Sequence, residues 1–227
     1  MKLPENGAVS AMDLAPLPRL LVAYAPAEAR EWQGLCWRLD QRLAAVAQRG
    51  GDTTIAAIRL AWWDAVLVEG DPAKGGGEPL VERWRAIAPV GMAQAAGQLI
   101  DGWRALVAPE VMSDEDLMAY AEARGGGLFA LLAADADVVQ AGAVRDAGCL
   151  WALWDFAAHV RDAALARQAI LLARALAGRS VPPSGPALKP LRLARAIALA
   201  DIHAGRVPQG GFSLRHYGRL LLASLRG

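Results

Sequence analysis

Three polar side chains in the second half of the chain have the spacing of a site that could bind a metal ion or transfer a proton. Asp155, His159 and Asp162 are four and three residues apart, which would place them on one face of an α-helix. A carboxylate and an imidazole on one face can ligate a divalent metal or act in general acid–base catalysis. A metal ion would need further ligands from another helix. The alternative is a row of hydrogen bonds at the surface or at a cavity edge.

Other catalytic patterns are absent from the sequence. Cys36 and Cys149 are the only cysteines and lie outside any CxxC or Cys/His spacing, so we expect neither a zinc site nor a disulfide framework. The glycines after Lys74 lack the Gly-Lys-Ser/Thr ending of a phosphate-binding loop, so we interpret them as a flexible loop. No Gly-x-Ser-x-Gly segment supports serine hydrolysis.

The most distinctive stretch of the chain is residues 54–67, which contains Arg59, Trp62 and Trp63. Adjacent tryptophans cannot share one helix face, so we predict a helix that is apolar around most of its circumference and therefore central in the fold. The Arg59 guanidinium could stack on an indole or reach into a cavity that the indoles wall. A buried guanidinium needs a partner, so its role is either structural or the binding of an anionic headgroup.

A second distinctive stretch combines a helix start with glycines. Ser113 and the acidic residues 114–116 predict a capped helix N-terminus. The helix then contains Tyr120, followed by three glycines at 125–127. Glycine inside a helix costs roughly 1 kcal/mol relative to alanine. We therefore expect either close packing of another helix on bare backbone or a bend that opens carbonyls toward a ligand.

The elements that would position these residues are helices. The chain has 227 residues, 55% of them hydrophobic, and the excess is alanine and leucine, which is typical of closely packed helices. We predict an all-α, single-domain bundle of about eight helices, with a loose N-terminal arm at 1–18 and the helical domain at 19–227. Six tryptophans either fill its core or wall a long apolar cavity for a lipid tail: Trp62, Trp63, Trp84, Trp103, Trp151 and Trp154.

Composition also limits the partners. A formal net charge of +1 gives no overall field that would attract nucleic acid, so we expect no nucleic-acid binding. The N-terminus does not resemble a signal peptide, and charged residues interrupt every apolar stretch before 18 residues. We therefore expect a cytoplasmic protein that does not span a membrane. The helical segments at 187–204 and 217–225 have arginine margins and could dock peripherally at the inner membrane, or be ordinary core helices.

Three segments in order resemble the squalene/phytoene synthase family. Residues 24–43, followed by Ile58-Arg59-Leu60-Ala61-Trp62-Trp63, resemble the opening of bacterial members, where a helix precedes an Arg-Leu-x-Trp-Trp segment. Residues 116–126 resemble the Leu-x-x-Tyr-Cys-x-x-x-Ala-Gly segment, and residues 143–162 resemble the segment that ends in Arg-Asp. The resemblance implies the isoprenoid synthase fold around a central apolar cavity. In active members this fold joins two prenyl diphosphates head to head, with magnesium at the cavity mouth.

The metal ligands of active members are not matched. Their Asp-x-x-x-Asp motifs supply two carboxylates one helical turn apart. Here the residue four positions after Asp40 is Ala44, and the residue four positions after Asp162 is Ala166. Two single carboxylates have too little charge to hold a magnesium cluster. The pattern resembles the branch that contains the complex I assembly factors, which keep the fold and lose the aspartates.

We therefore expect a non-catalytic relative without a metal or cofactor. It would bind an apolar or isoprenoid-like molecule or help assemble a membrane (respiratory) complex through a partner protein. Asp40 and Asp162 are interpreted as motif remnants, and the candidate ligand residues are Arg59, Trp62, Trp63, Tyr120, Gly125, Gly126, His159 and Arg161. The alternatives are a magnesium-dependent head-to-head prenyl transferase and a structural subunit with a filled core.

Overall fold

The computed structural model describes residues 14–48, 53–107, 112–134, 138–209 and 214–225, and these ranges contain helices and no strand. The all-α prediction is therefore confirmed for this part of the chain. The α-helices are α1 (Pro16–Ala23), α2 (Arg30–Gln48), α3 (Thr53–Leu67), α4 (Pro79–Ile87), α5 (Ala93–Ala105), α6 (Asp114–Tyr120), α7 (Gly126–Leu132), α8 (Ala141–His159), α9 (Ala163–Ala177), α10 (Lys189–Ile202) and α11 (Leu214–Leu225). A single turn of π-helix, Ala121–Gly125, joins α6 to α7.

Helix α8 is the most enclosed element. It packs against α7, α9, α10 and the π-turn, and most of its residues from Val144 to Ala157 are buried. Between Ala147 and Trp154 its sequence contains no charged residue and every position is buried, as expected of a helix with neighbours on most sides. None of the helices in the described ranges is long and apolar enough to cross a bilayer.

The prediction that the tryptophan helix is central was wrong. Helix α3 packs against α2, α4 and α5, but Ile55 and Ile58 on its other side are 47% and 64% exposed. The buried stripe contains Ala56, Leu60 and Trp63, which recur at helical spacing. The apolar residue types predicted burial around most of the circumference, whereas only the side that includes Trp63 is buried.

The glycines of the 125–127 run allow close helix packing. A Cβ on Gly125 would lie 2.2 Å from the carbonyl oxygen of Gly148 in α8, and a Cβ on Gly148 would lie 2.1 Å from that of Gly125. A Cβ on Gly127 would lie 2.5 Å from the Leu99 nitrogen in α5. Both α5 and α8 therefore contact bare backbone, which confirms the packing alternative and offsets the low helix propensity of glycine.

The start of the glycine helix follows its prediction. The Ser113 hydroxyl accepts a hydrogen bond from the Asp116 N–H, and the Asp116 carboxylate accepts one from the Ser113 N–H, forming a capping box. These hydrogen bonds from Ser113 hold the pKa of the Asp116 carboxyl below its usual value.

At the N-terminus, α1 begins at Pro16, inside the predicted arm, and residues 1–13 of that arm lie outside the described residues.

Candidate functional site

A buried arginine connects the central helices. The Arg124 side chain is 4% exposed. Its Nε and Nη2 donate to the two carboxylate oxygens of Asp40 on α2, at 3.0 and 2.8 Å. Its Nη1 donates to Asp155 Oδ2 on α8 at 2.8 Å and to the Tyr120 hydroxyl at 2.6 Å. Arg124 is thus bidentate on one carboxylate and also binds a second from another helix, which is the strongest pairing geometry available to arginine.

Aromatic rings complete the surroundings of Arg124. The guanidinium carbon lies 4.2 Å from the ring centroid of Trp103 and 4.8 Å from that of Trp151. The Trp103 indole also donates to Asp40 Oδ1 at 2.8 Å. A desolvated guanidinium gains about 2 kcal/mol from such ring contacts. The cluster is therefore rigidly held, and we refer to Asp40, Arg124, Asp155 and Tyr120 as the Arg124 cluster.

The charge states within the cluster follow from burial and pairing. Burial opposes the charged form of Arg124, but Asp40, Tyr120 and Asp155 raise the pKa of its guanidinium well above the ordinary value. Burial raises the pKa of Tyr120 and outweighs the opposing effect of Arg124, so the phenol stays neutral. With both aspartates ionised, the cluster has a formal charge of −1.

Two neighbouring helices fix the backbone of Arg124. It lies in the π-turn, where the extra residue per turn changes the direction in which side chains project. A Cβ on Gly102 of α5 would lie 2.3 Å from the Arg124 nitrogen, and Gly125 and Gly148 are in backbone contact on the α8 side. The three glycines let α5 and α8 approach the π-turn closely and so position the backbone of the arginine.

The Arg124 cluster separates two pockets. A pocket of about 370 Å³ lies between α1, α2 and α8 and is walled by Trp37, Trp103, Trp151 and Trp154. A second pocket of about 280 Å³ has Phe156 and Leu165 in its wall. Both pockets are lined by Trp103, Arg124, Asp155 and His159. The first has the size and apolar lining of a small-molecule site.

The residues present do not fit a magnesium–diphosphate centre. Asp40 and Asp155 face each other across Arg124, so each carboxylate is already paired with a cation of the protein. A magnesium ion would have to displace a buried guanidinium, and breaking a buried ion pair costs about 3–5 kcal/mol. Within the described ranges no group of three His, Cys, Asp or Glu side chains has the geometry to hold a metal ion.

The predicted row of Asp155, His159 and Asp162 does not lie on one helix. Helix α8 ends at His159, and Asp162 caps α9 by accepting hydrogen bonds from the Ala164 and Leu165 N–H groups. His159 Nδ1 lies 2.8 Å from the Asp155 carbonyl oxygen. The spacing rule failed because the chain leaves the helix before its third member. The aspartate that faces Asp40 across Arg124 is Asp155, whereas Asp162 caps α9; the interpretation of Asp162 as a motif remnant stays a prediction.

The other predicted residues fall into separate places. Arg59 is exposed, so the prediction of a buried guanidinium was wrong. Arg59 lines a separate pocket of about 250 Å³, together with the half-buried Trp62 and the buried Trp63. Arg161 is exposed at the bend after α8. Tyr120 belongs to the Arg124 cluster, and Gly125 packs against α8. The nearest neighbour to a Cβ on Gly126 would be the Arg145 side chain, at 3.3 Å.

Both cysteines are buried and free. Burial raises the pKa of the Cys36 thiol well above its ordinary value and that of Cys149 to about 12. Neither therefore provides a thiolate nucleophile near neutral pH.

Sequence reasoning missed Arg124, the residue that organises the site. Arg124 directly precedes the three glycines, whose backbone packs closely against α5 and α8. A side chain next to such close helix contacts has little room to reach the surface. An arginine next to close-packed glycines was therefore a usable signal.

Comparison with protein-family models, curated proteins and solved structures gives no match to this chain, so the family stays a prediction from its residues.

Proposed function

We propose that the protein binds a neutral, apolar, isoprenoid-like molecule in the pocket of about 370 Å³ without turning it over. The observation that carries the proposal is the pairing of Asp40 and Asp155 with Arg124 at distances of 2.8–3.0 Å. Both carboxylates that face the pocket are already paired with the Arg124 guanidinium, so a metal ion would have to displace that guanidinium to bind them. Ionisation of an allylic diphosphate without those ions is disfavoured.

Charge in the pocket also argues for a neutral ligand. The Arg124 cluster has a formal charge of −1, and the remaining wall combines four tryptophans with small apolar residues, two glutamines and two histidines. A diphosphate would bring further negative charge into this low-dielectric surrounding, which is unfavourable at short range. An apolar chain with an uncharged polar end, such as a prenol, is the class of ligand that this wall favours.

A buried indole N–H supports a polar end on the ligand. Trp151 lines the pocket, and within the described part of the chain its Nε1 has no hydrogen-bond partner. An unpaired buried donor costs about 1–3 kcal/mol. A ligand hydroxyl could accept a hydrogen bond from Trp151 and donate one to Asp155, whose side chain is 20% exposed.

The proposal is tested by identifying bound lipid and by measuring turnover. Mass spectrometry of an organic extract of the purified full chain should reveal a neutral isoprenoid-like lipid. Incubation with farnesyl diphosphate and magnesium should release no diphosphate. Diphosphate release would contradict the proposal and favour the prenyl transferase alternative. An extract without lipid, together with no binding of added farnesol, would favour a filled core.

A pocket-filling variant tests the location. Ala158 lines the pocket from α8, so Ala158→Phe should reduce farnesol binding by about tenfold or more, because the ring occupies ligand volume. Ala175→Phe on the exposed side of α9 is the matched control and should bind as wild type does. Equal binding by wild type and both variants would place the ligand elsewhere.

A role in assembling a membrane complex at the inner membrane is the second part of the proposal and rests on the family resemblance. Deletion of the gene should then lower the amount of a respiratory complex and leave isoprenoid products unchanged. A loss of carotenoid or hopanoid with normal respiratory complexes would contradict the assembly role and favour biosynthesis.

A further inference from the structure

Charge is divided unevenly along the chain. Residues 1–162 contain 14 Lys and Arg against 22 Asp and Glu, whereas residues 163–227 contain ten Lys and Arg against a single acidic residue, Asp201. The net charge of +1 therefore combines −8 in the first part with +9 in the second. Helix α10 packs against both α9 and α11, so these three helices form a cationic side of the molecule.

A cationic groove lies on this side. It has a volume of about 340 Å³, and its wall contains Lys189, Arg192 and Arg195 from α10 and Ala223 from α11. The three cations are three residues apart, which places them along one side of the helix. The apolar part of the wall includes Pro182. The groove therefore combines three positive charges with an apolar lining.

Neutral atoms provide the hydrogen-bond acceptors of these cations. Lys189 Nζ lies 3.4 Å from the Ser224 carbonyl oxygen, and Arg192 donates to the Gly185 carbonyl oxygen. Arg195 Nη2 donates to Ser180, at 3.1 Å to the carbonyl oxygen and 2.9 Å to the hydroxyl. Throughout the described ranges, none of the three cations forms an ion pair with a carboxylate.

Arg195 is the least compensated of the three. Its Nε is buried and has no hydrogen-bond partner in the part of the chain that the structure describes. Burial lowers the pKa of its guanidinium below the ordinary value, and the charge of Asp146 only partly opposes this. An anion in the groove would supply both the missing acceptor and the missing charge.

Helix α11, beside the groove, has an apolar face turned to solvent. Tyr217, Leu221, Leu222 and Leu225 are 44%, 41%, 57% and 83% exposed, and Leu220 on the opposite side is 1% exposed. These four exposed residues lie within one half of the helix circumference and include no charge. An ordinary surface helix has the reverse arrangement, with its polar face in water.

We propose that this side of the molecule docks on an anionic phospholipid bilayer, with a lipid phosphate in the Lys189, Arg192 and Arg195 groove and the apolar face of α11 in the headgroup region. Interfacial helices bind in this way, with the apolar face at the boundary of headgroups and acyl chains and basic residues beside it. A nucleic-acid site would use the cations but would have no role for four exposed apolar residues. The docking surface lies apart from the Arg124 cluster and does not rest on the ligand proposed above.

Flotation of the full chain with vesicles tests the docking. The chain should float with phosphatidylcholine vesicles that contain about one quarter phosphatidylglycerol, much less with pure phosphatidylcholine, and less in high salt because the charges are screened. Lys189→Gln with Arg192→Gln should weaken binding about 30-fold, since each cation near an anionic surface contributes about fivefold. The control Arg83→Gln with Arg161→Gln removes equal charge from exposed positions outside the groove and should bind nearly as wild type does.

A second pair of variants tests the apolar face separately. Leu222→Ser with Leu225→Ser should reduce binding about tenfold or more, because two exposed leucines no longer enter the headgroup region. Ile58→Ser with Val90→Ser changes two residues of similar exposure elsewhere and should leave binding unchanged. All substituted positions in these two pairs are exposed, so circular dichroism should show folded protein in each case.

Several results would overturn the docking proposal. Equal flotation with neutral and anionic vesicles would exclude the phosphate groove. Equal losses in the groove variant and its charge-matched control would assign the effect to overall charge. Absence of flotation with anionic vesicles would refute docking, whether or not the chain binds inorganic phosphate or an oligonucleotide instead. Retained farnesol binding in that case would leave the ligand proposal standing.

Discussion

Replacing Arg124 with methionine should be among the most damaging single changes in this protein. The substitution keeps most of the side-chain length and removes the cation that pairs with Asp40 and Asp155. Two carboxylates then remain without their cation, and breaking a buried pair in this way costs about 3–5 kcal/mol. We therefore expect Arg124→Met to lower the free energy of unfolding by about 4 kcal/mol.

The matched control is Arg104→Met. Arg104 also pairs with two carboxylates, Asp64 and Asp101, but its side chain is 39% exposed. Exposed ion pairs contribute between 0 and about 1 kcal/mol, so this variant should lose less than about 1 kcal/mol. For a chain of this size each kcal/mol shifts the melting temperature by about 2–4 °C. The two variants should therefore differ by roughly 10 °C in a thermal melt.

A double-mutant cycle separates the pairing from other effects of the substitution. Asp40→Asn removes one charge and retains similar shape, and we expect it to cost about 2 kcal/mol, which is typical of a hydrogen bond to a charged group. The double variant Asp40→Asn with Arg124→Met should be more stable than the sum of the single changes predicts, by about 2 kcal/mol. If the two costs simply add, or if Arg124→Met loses no more stability than Arg104→Met, the cluster does not hold the helices together as we describe.

Two further predictions concern stability. Gly125→Ala should destabilise the protein by about 3 kcal/mol in a denaturant titration, because the new Cβ would lie 2.2 Å from the Gly148 carbonyl oxygen. The control is Gly142→Ala, whose new Cβ would have no other group within 4 Å, so it should be neutral or stabilising in the same titration. Burial opposes ionisation of Asp201, but hydrogen bonds from Arg219 and Trp154 with the nearby arginine charges lower its pKa overall. Its contribution to stability is thus present above the unfolded-state pKa of about 3.9 and is lost as pH falls through the lower folded-state pKa. The stability difference between wild type and Asp201→Asn should therefore shrink below about pH 4.

The helices could be predicted from sequence because their signals are local. Apolar residues recur at helical spacing along α2, and Ser113 and Asp116 form the expected capping box. The glycines at 125–127 predicted close packing of another helix, and α5 and α8 supply it. Residues close in sequence determine the first two outcomes, so periodicity and capping chemistry suffice for them.

The site could be predicted only in part because it depends on contacts between distant segments. Asp40 and Arg124 are 84 residues apart, and no spacing rule relates them. Asp155 was part of a predicted row, but the end of α8 at His159 removed Asp162 from it. The two adjacent tryptophans of α3 suggested a central helix, but Trp63 is buried, Trp62 is only half-buried, and the helix is peripheral.

We propose that the pocket beside the Arg124 cluster binds a neutral apolar molecule and does not bind a magnesium diphosphate. The most direct measurement is the thermal stability of the lipid-free full chain with farnesol, and with farnesyl diphosphate, each with and without magnesium. A ligand at about 100 times its Kd should add about 2.7 kcal/mol. We predict a rise in melting temperature with farnesol that does not depend on magnesium, and no magnesium-dependent rise with the diphosphate. Stabilisation by the diphosphate only when magnesium is present would contradict the claim.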